Sequence, residues 1–189
     1  MSSSEIYQPA EDSFLMSDSL KKIIPDLLKY NPRLKFLEIG CGSGIQLQTV
    51  LESGIKKENI FGADVNAEAV NHCKKLGFNC VYSNLFLNIK GNYDLIIFNP
   101  PYLPDEKREP KSSKLATTGG RKGGEIINRF LKQAKEHLAP TGKIILLTSS
   151  LTKGINFLDY NKKSIAEKNL FFEKLYIWEV SFYHNVRIS

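Results

Sequence analysis

Near its start this chain runs from a short apolar stretch directly into glycines, and that junction constrains the fold more than any other feature. Residues 34–39, Leu-Lys-Phe-Leu-Glu-Ile, are followed by Gly40, Gly42 and Gly44 at alternate positions. A brief apolar run bounded by glycine reads as a buried strand. The pattern over 45–53 reads as the helix that follows. The same rhythm then recurs. Residues 60–65 predict a second strand. Asn66 is placed to cap a helix that Gly77 can end. Residues 80–82 predict a short third strand, and 93–99, Tyr-Asp-Leu-Ile-Ile-Phe-Asn, the strongest strand of the chain. An amphipathic helix over 125–138 leads through a Pro140-Thr141-Gly142 turn into a strand over 143–149. Strands alternating with helices call for a parallel sheet covered on both faces.

The two ends differ from this rhythm. Over 11–30, Phe14, Leu15, Leu20, Ile23, Ile24, Leu27 and Leu28 recur at helical spacing, with Pro25 predicted to kink or split the helix. After a short helix near 153–160 come strands near 163–167 and 172–182. Their connection is too short for a crossover helix, so this last pair is predicted to be antiparallel. The expected architecture is α/β: a seven-stranded, mostly parallel sheet with one antiparallel strand near the C-terminus and helices on both faces.

Composition sets the scale. The 189 residues are 42% hydrophobic and 24% charged, the balance of one globular domain. We read 1–33 as an N-terminal lid and helix, 34–149 as the core, and 150–189 as a C-terminal strand pair. No run of about 18 apolar residues exists to span a membrane. The start, Met-Ser-Ser-Ser-Glu-Ile, lacks a secretory pattern. Cys41, Cys73 and Cys80 show no C-x-x-C pair and no zinc spacing, so the sequence assigns no disulfide framework and no metal. A reducing, cytoplasmic setting is the expectation. His72, His137 and His184 have no carboxylate or cysteine at catalytic spacing. The net charge of +6 permits a nucleic-acid partner but establishes none.

The glycines point to a ligand at the carboxyl end of the first strand. The dinucleotide pattern G-x-G-x-x-G is not met, because Ile45 stands where its third glycine belongs. Glu38 just before the turn disfavours phosphate and favours a ligand carrying positive charge. Asp64, ending the second strand, can accept hydrogen bonds from both ribose hydroxyls; taken alone it serves equally as a helix cap. A nucleoside bearing a sulfonium and an ammonium, S-adenosyl-L-methionine, meets these demands. Here the chain resembles the class I methyltransferases, with their E/D-x-G-x-G-x-G motif standing as Glu38-Ile39-Gly40-Cys41-Gly42-Ser43-Gly44. The resemblance implies their Rossmann-like fold. It also implies cofactor contacts from Glu38, Gly40, Cys41, Gly42, Gly44, Asp64, Val65, Asn84, Leu85 and Asn99. The family usually has aspartate where Asn84 stands, so the contact to the adenine amino group rests there on an amide oxygen.

Asn99-Pro100-Pro101-Tyr102 follows the fourth strand. Methyl transfer to a planar nitrogen needs such a set. The nitrogen's lone pair is delocalised, and two acceptors, the Asn99 side-chain oxygen and the Pro100 carbonyl, can hold its two N–H groups and aim it. The Tyr102 ring can pack on the planar group and exclude water. Positioning supplies most of the gain. By resemblance, this tetrapeptide belongs to methyltransferases of adenine N6, cytosine N4, guanine N2 or glutamine N5.

Ile6-Tyr7-Gln8-Pro9-Ala10-Glu11-Asp12-Ser13-Phe14 resembles the Y-x-P-x-E-D-[ST] segment of HemK-like protein-(glutamine N5) methyltransferases. There it closes over the cofactor, which implies contacts from Pro9, Ala10, Glu11 and Ser13. Helix capping by Glu11, Asp12 and Ser13 is a compatible reading. Residues 117–126, Thr-Thr-Gly-Gly-Arg-Lys-Gly-Gly-Glu-Ile, resemble the family's A-G-G-x-x-G lip. Lys107, Arg108, Lys111, Lys114, Arg121 and Lys122 form a basic loop beside it. Only 33 residues precede the first strand, which resembles the short archaeal and eukaryotic type. That type implies the Gly-Gly-Gln glutamine of class 1 peptide release factors as acceptor and a small zinc-binding activator subunit as partner in a heterodimer. A nucleic-acid N6-adenine or guanine-N2 methyltransferase is the alternative. A protein-lysine methyltransferase and an inactive cofactor-binding partner rank below it.

Overall fold

A computed structural model describes residues 6–103, 120–157 and 159–182. Helix α1 spans Glu11–Tyr30, β1 Phe36–Ile39, α2 Ile45–Glu52, β2 Ile60–Asp64, α3 Ala67–Lys75, β3 Asn79–Tyr82 and β4 Tyr93–Phe98. After the undescribed 104–119 come α4 Glu125–Ala134, β5 Leu138–Ser149, β6 Tyr160–Asn169 and β7 Lys174–Phe182. The seven strands form one sheet in the order β3-β2-β1-β4-β5-β7-β6. β7 runs antiparallel to both neighbours, and the remaining pairings are parallel. The sheet matches the predicted class and the predicted antiparallel pair.

Unbroken apolar runs build a sheet buried on both faces. In β4, Leu95 and Ile97 join the core under α1, α2 and α3, while Ile96 and Phe98 join the core under α4. β5 alternates likewise, with Ile145 and Leu147 on the first side and Ile144 and Leu146 on the second. Each such side chain contributes about 1.5–3 kcal/mol by leaving water.

α1 is one helix through Pro25, not two. Proline costs a helix interior about 3 kcal/mol. Met16, Leu20 and Ile24 are wholly buried against the sheet and offset that cost, while Pro25 faces solvent. The Asn66 side chain accepts the Glu68 N–H at 2.9 Å, as the capping expectation required, and Gly77 leaves α3 at φ +84°.

Three expectations fail. α4 stops at Ala134, and Leu138 already pairs with Tyr93, so Pro140-Thr141-Gly142 lies within β5 at a register shift. No helix forms over the described part of 153–160. Gly154 sits at φ +76°, and the Asn128 side chain binds the Gly154 carbonyl and the Asn156 N–H, replacing helical hydrogen bonds. β6 is twice the predicted length, because pairing with β7 extends the edge strand over polar residues on both sides of the predicted 163–167. No helix among the described residues is long and apolar enough to cross a membrane.

Candidate functional site

Strand order reverses between β1 and β4, and a ligand crevice is expected there at the carboxyl ends. The structure has a cleft of about 200 Å³ at that place. β1 delivers Glu38 and the glycine turn, β2 delivers Asp64, the segment after β3 delivers Ser83 to Leu85, and β4 delivers Asn99. The first turn of α1 closes one side with Asp12 and Ser13.

The glycine turn is held by the neighbouring strand. The Asp64 carboxylate accepts the Gly42 N–H at 2.9 Å and the Asn66 N–H at 2.8 Å. Burial pushes its carboxyl up, and those two N–H groups counter the shift. Gly44 caps α2 at φ +79°, where a Cβ would lie 3.2 Å from both Cys73 Sγ and Leu76 Cδ1. Leu85 holds φ +52°, an uncommon conformation for a residue with a side chain, at the cleft wall.

Glu38 is 3% exposed, and its Oε2 has no hydrogen-bond partner. Burial holds its carboxyl well above the ordinary range, with neighbouring Cys73 and Asp64 adding to the shift. A buried, unpartnered carboxyl oxygen in a ligand cleft is a site for a donor or a cation.

Asn99 carries the second orphan. Its Nδ2 donates to Asp12 Oδ2 at 3.1 Å, while its Oδ1 is buried without a partner. Asp12 also accepts the Ser13 N–H at 2.6 Å and the Tyr7 hydroxyl at 3.3 Å. Burial and the Asp12 charge push the Tyr7 phenol up to about 12. Gln46 ties this helix turn to α2. Its amide donates to the Ser13 carbonyl at 2.8 Å and accepts the Ser17 hydroxyl at 2.9 Å.

Of the residues expected at the site, Ser13, Glu38, Gly40, Cys41, Gly42, Asp64, Val65, Asn84, Leu85, Asn99, Pro100 and Pro101 line the cleft. Pro9, Ala10, Glu11, Gly44 and Tyr102 do not. Ala10 caps α1, Glu11 pairs with Lys168, and Tyr102 packs on the α1-side core with its carbonyl accepting the Thr152 hydroxyl at 2.9 Å. Asn84 keeps its acceptor oxygen, which takes an Arg129 N–H at 3.3 Å. Tyr7, Gln46, Phe98 and Ile126 line the cleft without having been singled out. Tyr7 stood inside the quoted N-terminal motif. Nothing in the sequence signalled Gln46, whose partners lie about 30 residues upstream. Lys107, Arg108, Lys111, Lys114, Thr117, Thr118, Gly119 and His184 lie outside the described residues.

The two orphaned oxygens fit S-adenosyl-L-methionine and a planar amide. The first asks for positive charge or a donor beside the glycine turn, and the second asks for an N–H beyond it.

Residues 17–168 match the methyltransferase small domain family. A protein of Methanocaldococcus jannaschii named as a protein N5-glutamine methyltransferase is 38% identical, over 78% of this chain and 74% of its own. Methyltransferase HEMK2 of Mus musculus is 33% identical, over 76% and 72%. The eRF1 methyltransferase catalytic subunit mtq2 of Schizosaccharomyces pombe is 30% identical, over 79% and 74%. Among solved structures, the E. cuniculi Mtq2–Trm112 complex, described as methylating the eRF1 translation termination factor, superposes with TM-score 0.68. It is 23% identical and covers 93% of this chain and 98% of the other. Orphaned acceptors, glycine turn and kinship agree: the chain is an S-adenosyl-L-methionine-dependent methyltransferase and belongs to the methyltransferase small domain family, among its HemK-like members.

Proposed function

We propose that this enzyme methylates the side-chain nitrogen of the glutamine in the Gly-Gly-Gln motif of a class 1 peptide release factor. The observation that carries the reading is Asn99 Oδ1, buried at the end of β4 with no partner while Asp12 occupies the amide's other end. Asp12 is an acceptor, so it selects the rotamer in which Asn99 presents oxygen to the cleft. That oxygen and the Pro100 carbonyl accept the two N–H groups of the glutamine amide and aim its nitrogen. S-adenosyl-L-methionine, when bound, supplies a methyl group on a sulfonium. Glu38 and Asp64 hold the cofactor, Glu38 by its buried carboxylate oxygen and Asp64 through the ribose. Val65, Asn84 and Leu85 line the adenine side. The first turn of α1 excludes water from the methionine end. Acceptor geometry, not a strong base, supplies the rate. The relatives named as glutamine and eRF1 methyltransferases support this acceptor.

The enzyme works in the cytoplasm with a small zinc-binding activator subunit. The outer edge of β3 is where such a subunit fits. β3 ends the sheet, and Val81, Tyr82 and Leu87 beside it are 40%, 54% and 78% exposed. A transfer assay with labelled cofactor tests the reading on release factor, histone, rRNA and DNA, each with and without the activator. Label on release factor that disappears when the motif glutamine becomes alanine is expected. Label on rRNA or DNA alone would transfer the enzyme to the nucleic-acid alternative.

A further inference from the structure

The chain has three cysteines, each on a different element, and all three converge. Cys41 comes from the glycine turn, Cys73 from α3 and Cys80 from β3, and their sulfur atoms lie within 4.8 Å of one another. Each is buried and none forms a disulfide. Room for the cluster is built into the sheet. Gly62 of β2 has an ordinary φ, yet a Cβ there would lie 2.8 Å from Cys80 Sγ and 3.1 Å from Cys41 Cβ. Glycine at this position is therefore a matter of space and not of backbone conformation. The cluster also lies between two cavities, with Cys41 lining the cofactor cleft and Cys80 and Gly62 lining a second one beyond β2.

We propose that Cys41, Cys73 and Cys80 form a three-sulfur site for one soft, thiophilic cation. Metal–sulfur bonds of about 2.3 Å in a trigonal plane separate the sulfurs by about 4 Å, within the observed spacing. The donor set is sulfur alone, which suits Cu(I) or Cd(II) and not Mg(II) or Ca(II). Zinc takes four ligands in a closed site, one more than the cluster offers. The Cys73 thiol donates to the Gly42 carbonyl at 3.6 Å, which ties the cluster to the glycine turn. Each thiol that ligates forms a metal–sulfur bond and releases its proton to solvent, so affinity rises with pH.

The alternative is that three small, weakly polar side chains simply pack together. Cd(II) titration of the reduced full-length protein separates the two. The proposal expects one equivalent bound with thiolate-to-metal charge-transfer absorption, unaffected by millimolar Mg(II). Cys73→Ala and Cys80→Ala, neither of which removes a cleft residue, are expected to weaken Cd(II) at least a hundredfold. Thermal melts without metal check that both variants fold. X-ray absorption on the loaded wild-type protein counts ligands independently of any variant, and three sulfurs are expected. Absence of the absorption at one equivalent, unchanged affinity in a folded Cys73→Ala, or fewer than three sulfurs would overturn the site.

Discussion

Asp12 and Asn99 are 87 positions apart, yet the Asn99 amide nitrogen donates to the Asp12 carboxylate at 3.1 Å. The bond couples the first turn of α1 to the end of β4 and leaves the Asn99 oxygen as the free end. Asn99→Ala removes that acceptor. Turnover is expected to fall about 100-fold or more, with cofactor affinity, read by calorimetry, changing only a few-fold. Equal loss of both would assign Asn99 to the fold. Asp12→Ala frees the amide to rotate and lowers kcat, and Asp12→Asn, which keeps an acceptor oxygen, restores part of it. Identical kinetics for the two substitutions would count against orientation by Asp12.

Glu38 gives the site a pH signature. Burial raises its folded pKa above the ordinary value near 4.5, so the folded protein retains a proton that the unfolded chain releases. Its favourable contribution is complete below that ordinary value and is lost as pH rises through the folded one. Glu38→Gln does not titrate. Without cofactor, its urea midpoint is expected to gain on wild type from pH 4.5 towards pH 8. Cofactor affinity falls about tenfold or more, because a carboxyl that can ionise against the cofactor's positive charge is replaced by a neutral amide. A pH-independent stability difference would refute the assignment.

Gly42 and Gly44 both have positive φ, at +45° and +79°, but differ in surroundings. A Cβ at Gly42 meets nothing nearer than the Gly40 carbonyl at 4.0 Å, whereas at Gly44 it crowds Cys73 and Leu76. Gly42→Ala is expected to cost about 1–2 kcal/mol through backbone strain alone. Gly44→Ala costs more, with overpacking added. Denaturant melts rank them, and the reverse order would be inconsistent with this geometry.

Gln46→Leu keeps size but removes the two hydrogen bonds that Gln46 makes to α1, leaving the Thr49–Ser17 hydroxyl bond there. About 1–3 kcal/mol of stability is expected to be lost, because the Ser13 carbonyl and Ser17 hydroxyl are left without Gln46. Hydrogen exchange in the first turn of α1 should quicken more than in β4. Uniform acceleration through the chain would show that Gln46 does not anchor that turn.

The strands, the glycine turn and the carboxylates at its edge were legible because each depends on a few consecutive residues. Leu34 to Gly44 announces its own turn, and Asn99-Pro100-Pro101 its own strand end. What escaped depends on the tertiary register. The Asp12–Asn99 bond, the Gln46 bridge and the cysteine cluster each join segments that the sheet order brings together. Glu11 was expected at the cofactor, yet one helical position turns it outward to Lys168 while Asp12 faces in. The strand at 163–167 was legible, but its extension to Tyr160 and Asn169 was not, because the ends of an edge strand draw their order from the neighbour.

The Asp64 carboxylate, already bonded to the Gly42 and Asn66 N–H groups, bears on kinetics as much as on affinity. The turn that receives the cofactor is ordered by folding itself, so little conformational entropy remains to be lost on association. Ligand capture is then set by encounter with a preorganised cradle. Discrimination between cofactor and spent product falls to the few atoms that differ between them, those next to the sulfur.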